Sequence, residues 1–566
     1  MMKTKILAYS SLSLLMVACS NHKGMQELYS MEHQVQPLVE EPIQLVEAPN
    51  QIVKEVAVRK QQLPRTAPLR KLPDRSIVTG NPFDFIGAEH QQPSVNTEQY
   101  QTLETNSIKS TQIEPVSTFS IDVDTGSYTN VRRYLKRNGH LPPVNAVRVE
   151  EMINYFNYDY PNSKNSHPFS LNTEIVSSPW KTDAQLIRIG IKANDIEMKE
   201  LLPANLVFLV DVSGSMNSDD KLGLVKTTLR ILTEQLRPQD TVTIVTYASG
   251  EKVALQPTSG KNKDQILKVI NSLYASGATS GQRAIELAYE QAEKVFKKNG
   301  INRIIIATDG DFNLGITNFD VLKGIVAEKR KTGISFTSLG FGTGNYNEKL
   351  MEQLADAGDG NYSYIDNENE AKKVVQRQLS STLATVAKDV KIQVEFNPMT
   401  VKEYRLVGYE NRILKKEDFN NDKVDAGDIG AGHTVTALYE IIPTGHKGWL
   451  EESRYQNTNN VADKSNEYGY LKLRYKLPSS SESILIAEPL LISNKALNKA
   501  SSDTQWAVAV ASYGQLLSNS QYTGNMKWSD VLNLANRNKQ PDPYGMKSEF
   551  IELSKIAESL SSKPIK

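Results

Sequence analysis

Between residues 206 and 342 the chain alternates two patterns that leave few architectures open. LVFLVDVS (206–213), TVTIVTYA (241–248), RIIIATDG (303–310) and SFTSLGFG (335–342) are short runs rich in β-branched residues. Such runs suit strands covered on both faces. The segment DDKLGLVKTTLRILTEQL places Leu222, Val225, Leu229, Leu232 and Leu236 three or four residues apart, the apolar stripe of an amphipathic helix. AIELAYEQAEKVF (284–296) repeats that stripe. Ser218 stands where an N-cap is expected, followed by Asp219 and Asp220, acids that favour a helix N-terminus. The alternation predicts an α/β fold over 204–388: a doubly wound, mostly parallel sheet of Rossmann-like type with right-handed crossovers.

In such a sheet, ligands gather at the carboxyl ends of the strands. Asp211 ends the first run and Asp309 ends IIIATD, so both carboxylates project from one edge. Ser213 and Ser215 follow in the next turn, with Gly214 giving the backbone room to curl. The glycine-flanked loop YASGATSGQRA adds Thr279 just before a helix. Two carboxylates and three hydroxyls form an all-oxygen set suited to a hard divalent cation, Mg2+ first and Mn2+ or Ca2+ as alternatives. Two acids balance the charge without filling the shell, which leaves room for one further carboxylate from a partner.

DVSGSM matches the Asp-x-Ser-x-Ser element of the von Willebrand factor type A (VWA) domain's metal-ion-dependent adhesion site. GATSG supplies the family's threonine and ATDGD its second aspartate. The resemblance implies that Ser213, Ser215 and Thr279 touch the metal directly, while Asp211 and Asp309 act largely through water. More widely, FSIDVDTGSYTNVRRYL, VRVEEMINYF, TDGDFN, DAGDIGAGHTVTALYEI and MKSEFIEL resemble a family of bacterial VWA lipoproteins. That resemblance runs from about 115 to 566 and implies an A domain embedded between N- and C-terminal flanking regions.

The start of the chain supports export. MMKTK is basic, ILAYSSLSLLMVA is an apolar run too short to span a bilayer stably, and Ala18 precedes Cys19, the chain's one cysteine. Residues 1–19 resemble a bacterial lipoprotein signal, which implies an acylated Cys19 with palmitate-type chains. Two or more chains hold a protein stably on a bilayer. Ser20, rather than an aspartate, favours an outer-membrane anchor facing the periplasm, within the cell envelope. A lone cysteine also excludes internal disulfides and thiolate zinc sites.

Residues 20–114 are polar and proline-studded, the composition of a disordered tether, with NPFDFIG (81–87) a brief apolar docking point. Next come an α+β segment (115–203), the VWA domain (204–388), a β-rich domain (389–495) and a helical region (496–566). Strand patterns include SLNTEIVSS, LIRIGIKA, DVKIQVEFNP, YRLVGYEN, HTVTALYEII and YLKLRYKL; DTQWAVAVASYGQLLS and KSEFIELSKIAESL read as helices.

Lysine plus arginine and aspartate plus glutamate each number 65, a balance that argues against nucleic acid as partner. The seven histidines lack zinc-like spacing, and no nucleophile elbow is present. Asp122 and Asp124 in DVDTG resemble the nucleophile motif of haloacid-dehalogenase-like phosphatases, but Gly126 replaces its threonine or valine. Trp449, Trp506 and Trp528 are expected in the core or at its rim rather than stacking on sugars. The expected function is a non-enzymatic, lipid-anchored envelope protein that docks an acidic residue of a protein partner through a bound cation. The alternatives are an envelope scaffold whose metal only stabilises loops, and an exported metal-dependent phosphatase.

Overall fold

The computed structural model describes residues 98–562 apart from 165, 197–199, 279–280, 311–318, 379–384 and 452–465. Cys19, the signal segment, NPFDFIG and the tether as far as residue 97 lie outside the described residues. Among the described residues no helix is long and apolar enough to cross a membrane.

The first half supplies strands β1 (Lys109–Ser110), β2 (Val116–Ser120), β3 (Phe169–Ser177) and β4 (Gln185–Ala193), with helices α1 (Gly126–Arg133) and α2 (Val149–Asn154). The α/β stretch follows with β5 (Ala204–Asp211), α3 (Leu224–Gln235), β6 (Thr241–Tyr247), β7 (Glu251–Ser259), α4 (Lys263–Ser272) and α5 (Gln282–Lys294). It continues through β8 (Ile301–Thr308), α6 (Phe319–Arg330), β9 (Ser335–Phe341), α7 (Glu348–Ala357), β10 (Tyr362–Ile365) and α8 (Glu368–Lys373). These strands build a six-stranded sheet in the order β10-β9-β8-β5-β6-β7, parallel throughout except for β7. Every residue of β5 is buried. Leu206, Phe208 and Val210 enter one apolar core, and Val207 and Leu209 enter the other. That period of two, with both faces apolar, is why the strand reads as an unbroken greasy run.

The remaining strands are β11 (Thr385–Phe396), β12 (Val401–Val407), β13 (Ile429–Gly430), β14 (Thr434–Pro443), β15 (Glu467–Lys476) and β16 (Ser483–Leu491). They do not form a domain of their own. One sheet runs β1-β12-β14-β4-β3, and a second joins β13, β11, β15 and β16 with β2 paired to β11. Residues 115–203 and 389–495, expected as separate regions on either side of 204–388, therefore interleave in two sheets with antiparallel pairing. The sheets share a core in which Ile392, Val394 and Leu473 meet Ile187, Ile189 and Tyr439. Apolar faces on both stretches match although residues 204–388 lie between them in the chain.

The other face of the first sheet, through Val176, Leu186, Val407 and Leu438, packs on the C-terminal helices Ser502–Leu517, Trp528–Arg537 and Met546–Ser561. Trp506, fully buried, contacts Phe156 and Phe550 edge-on. Trp528 packs at the edge of this core, and Trp449 is half-buried, its backbone N–H donating to Glu403 at 2.6 Å.

The tether boundary at 114 also needs correction. Glu98 receives both terminal nitrogens of Arg133 at 2.8 Å, the pair being almost wholly buried. Gln99 bridges Asn347, and β1 pairs with β12. A few specific anchors hold residues 98–114 in place. Without apolar periodicity, composition gives no sign of them.

Candidate metal centre

β5 and β8 are adjacent and parallel, with Val210 paired to Ala307. The register brings Asp211 and Asp309 to one edge, both fully buried. Asp211 Oδ1 accepts the Ser213 backbone N–H at 2.9 Å, and Oδ2 accepts the Thr308 hydroxyl at 2.7 Å. Burial pushes the Asp211 carboxyl up to about 6; the charge on Asp309 adds to the push, while donors from Ser213 and Thr308 oppose it.

Asp211 thus folds the following turn back on itself. The Ser213 and Ser215 hydroxyls come within 3.0 Å of each other. Thr279 lies outside the described residues, but its loop leads into this turn. Ser276 N–H donates to the Val212 carbonyl at 2.7 Å, and Gly214 N–H donates to the Gly277 carbonyl at 2.8 Å. Gly277 has φ +80, and a Cβ there would meet the Ser249 hydroxyl at 2.4 Å, so the loop's approach requires glycine. The structure therefore gathers Asp211, Ser213, Ser215 and Asp309 and leaves Thr279 undescribed.

The residues present fit a hard cation. Two buried carboxylates stand at the same sheet edge as a pair of neutral hydroxyls, and magnesium needs few acids when other oxygens complete its shell. Among the described residues no group of three or more histidine, cysteine, aspartate or glutamate side chains could hold a metal, so the hydroxyls are essential to the candidate.

Two features escaped the sequence reading. Lys221 reaches the centre, its Nζ donating to Asp309 Oδ2 at 2.9 Å. Its one signal was a lysine in the first turn after Ser218, on the helix that follows the serine turn. Ser218, expected as an N-cap, turns its hydroxyl to Asp220 Oδ1 at 2.7 Å and makes no capping bond. The second feature is a carboxylate-rich junction around Asp122 and Asp124. Arg412 donates to Asp122 at 3.3 Å and Asp124 at 2.9 Å, and pairs with Asp356 of α7 at 2.8 Å. Beside it Arg148 meets Glu348 at 3.2 Å and Glu352 at 3.0 Å. Burial pushes Glu150 and Glu352 each up to about 8. Asp122 and Asp124 are thus buried in ion pairs joining three parts of the fold, a setting unlike an open nucleophile's.

Three family models match: "von Willebrand factor" over residues 94–188, "von Willebrand factor type A domain" over 205–377, and "Uncharacterized protein YfbK, C-terminal" over 381–560. Uncharacterized protein YfbK of Escherichia coli (strain K12) is 46% identical over 475 residues, covering 82% of each chain. The chain belongs to the YfbK family. Its VWA fold and family-type C-terminal region are thereby established, as the alternation and the flanking motifs implied. Similarity extends to uncharacterized protein sll0103 of Synechocystis, 24% identical over 314 residues, which covers 55% of this YfbK-family chain and 70% of that one. Mouse inter alpha-trypsin inhibitor, heavy chain 4, is 31% identical over 161 residues, covering 27% of this chain and 17% of that one.

Proposed function

We propose that this protein is anchored by acylated Cys19 in the cell envelope, on the outer membrane facing the periplasm, and grips a protein partner through a divalent cation. The cation is held by Asp211, Ser213, Ser215, Thr279 and Asp309. One observation carries the reading: two buried carboxylates at one sheet edge, with two hydroxyls 3.0 Å apart in the turn that follows. VWA domains in general mediate protein–protein interaction, which supports the partner's class.

A bound Mg2+ or Mn2+ would supply a Lewis-acidic point to which an incoming aspartate or glutamate adds its oxygen. The chain's own residues shape that point. Asp211 fixes the serine turn through the Ser213 amide, and Thr308 fixes Asp211. Neutral hydroxyls leave the cation's charge incompletely balanced, and this favours a further carboxylate.

The test is affinity capture of the full-length protein from solubilised envelopes with magnesium, with chelator, and with Asp211→Ala. A partner recovered with magnesium and lost in the other two arms supports the reading. Equal recovery in all three arms overturns it. The scaffold alternative then stands if chelation still lowers the melting temperature.

A further inference from the structure

Lys221 is built into the candidate centre from several sides. Its Nζ donates to Asp309 Oδ2 at 2.9 Å and to Asn345 Oδ1 at 2.8 Å. Asn345 Nδ2 donates to the same Asp309 oxygen at 3.2 Å, which closes a triangle of lysine, amide and acid. The lysine side chain is 11% exposed and the aspartate wholly buried. Its stem runs over Gly342, which has φ +77; a Cβ there would lie 2.3–2.8 Å from Cγ, Cε and Cδ of Lys221. Only glycine leaves that channel open. The turn bearing the lysine is held as well, since Asp220 accepts from Arg137 at 2.7 Å.

We propose that Lys221 is a tethered counter-cation of the metal centre, neutralising Asp309 and thereby lowering the site's affinity for a divalent ion. This rests on the metal reading above. Asp211 and Asp309 supply the site's negative charge, and the lysine cancels half of it. A single and a double positive charge roughly 6 Å apart repel by about tenfold in affinity even at the dielectric constant of water. The ammonium also keeps the buried Asp309 compensated whenever no ion is bound. The site is tuned for release as well as capture. A partner's carboxylate, by adding negative charge, then completes a site that holds its ion weakly alone. Metal and partner would be taken up together.

Manganese titration of the full-length protein, followed by calorimetry and by the paramagnetic resonance of free Mn2+, tests this. Lys221→Met is expected to bind Mn2+ about tenfold tighter than the native protein, with Lys221→Arg within about threefold of it. In the absence of metal, Lys221→Met is expected to melt lower than the native protein, and saturating Mn2+ to raise it by more degrees than the native protein gains. A purely structural lysine would lower the melting point with no gain in affinity. Lys221→Gln carries the same test should the methionine variant not fold. If the native protein binds Mn2+, Asp211→Ala does not, and the Lys221 variants bind no tighter, this inference falls and the metal reading stands. If neither the native protein nor the variants take up Mn2+, both fall.

Discussion

Arg412 offers the sharpest perturbation of the fold around the site. It lies beyond β12, and its guanidinium reaches Asp122 and Asp124, which follow β2, and Asp356 of α7 in the A domain. Asp122 and Asp124 are at most 4% exposed as side chains, and Arg412 is 12% exposed. Replacing it by methionine keeps most of the stem and removes the charge, stranding those carboxylates. Breaking such a buried pair typically costs about 3–5 kcal/mol. Near the lower end this lowers the thermal midpoint by a few degrees, since the shift per kcal/mol shrinks as the cooperative unit grows. The loss must depend on pH. Burial, with the charge on Asp122, already raises the Asp124 carboxyl well above its usual range, and Arg412 opposes that rise. Without Arg412 the acid takes up a proton more readily, and a neutral acid no longer strands a charge. Thermal denaturation of native and Arg412→Met proteins should therefore differ most at pH 8 and less at pH 5.5. A loss below about 1 kcal/mol, or one equal at both pH values, would refute the reasoning.

Other outcomes follow from named contacts. The native protein should itself melt at a higher temperature at pH 6 than at pH 9. Glu150 and Glu352 titrate in the fold at about 8, above their usual 4.5, so the folded state holds extra protons between those values. Folding is then favoured as pH falls through that window and loses this support as pH rises past 8; a flat profile counts against the junction as described. Thr308→Val removes the donor to Asp211 Oδ2 and should cost about 1–3 kcal/mol, read as a lower denaturation midpoint. Trp506→Ala empties the centre of the helical core and should cost about 3–5 kcal/mol; a smaller loss would mean that the helices pack less tightly on the first sheet than the buried contacts indicate.

What could be read from the sequence was local. The runs at 206, 241, 303 and 335 emerged as β5, β6, β8 and β9 because strands covered on both faces are buried at nearly every position and so are rich in apolar and β-branched residues. The edge strand β7, half-exposed along EKVALQPTS, and the four-residue β10 carry no such signal and were not anticipated. Asp211 and Asp309 were legible because strand ends in a parallel sheet share an edge. Lys221 was not, because its role depends on a side chain crossing from a neighbouring turn over Gly342. The interleaved sheets were hidden for a similar reason. LIRIGIKA announces a strand, but nothing in it says that Ile189 will pair with Ala437. Pairing is decided by matched faces on distant stretches, and a pattern read along the chain contains no information on partners so distant.

The claim on which the rest depends is that these oxygen donors hold a divalent ion. Crystals of the full-length protein grown with manganese chloride, measured at a wavelength where manganese scatters anomalously, test it most directly. An anomalous peak is expected within coordination distance of the Ser213 and Ser215 hydroxyls, with no such peak in Asp211→Ala crystals grown alike. Well-ordered crystals without a peak there, or with the ion bound at the Asp122–Arg412 junction instead, would contradict it.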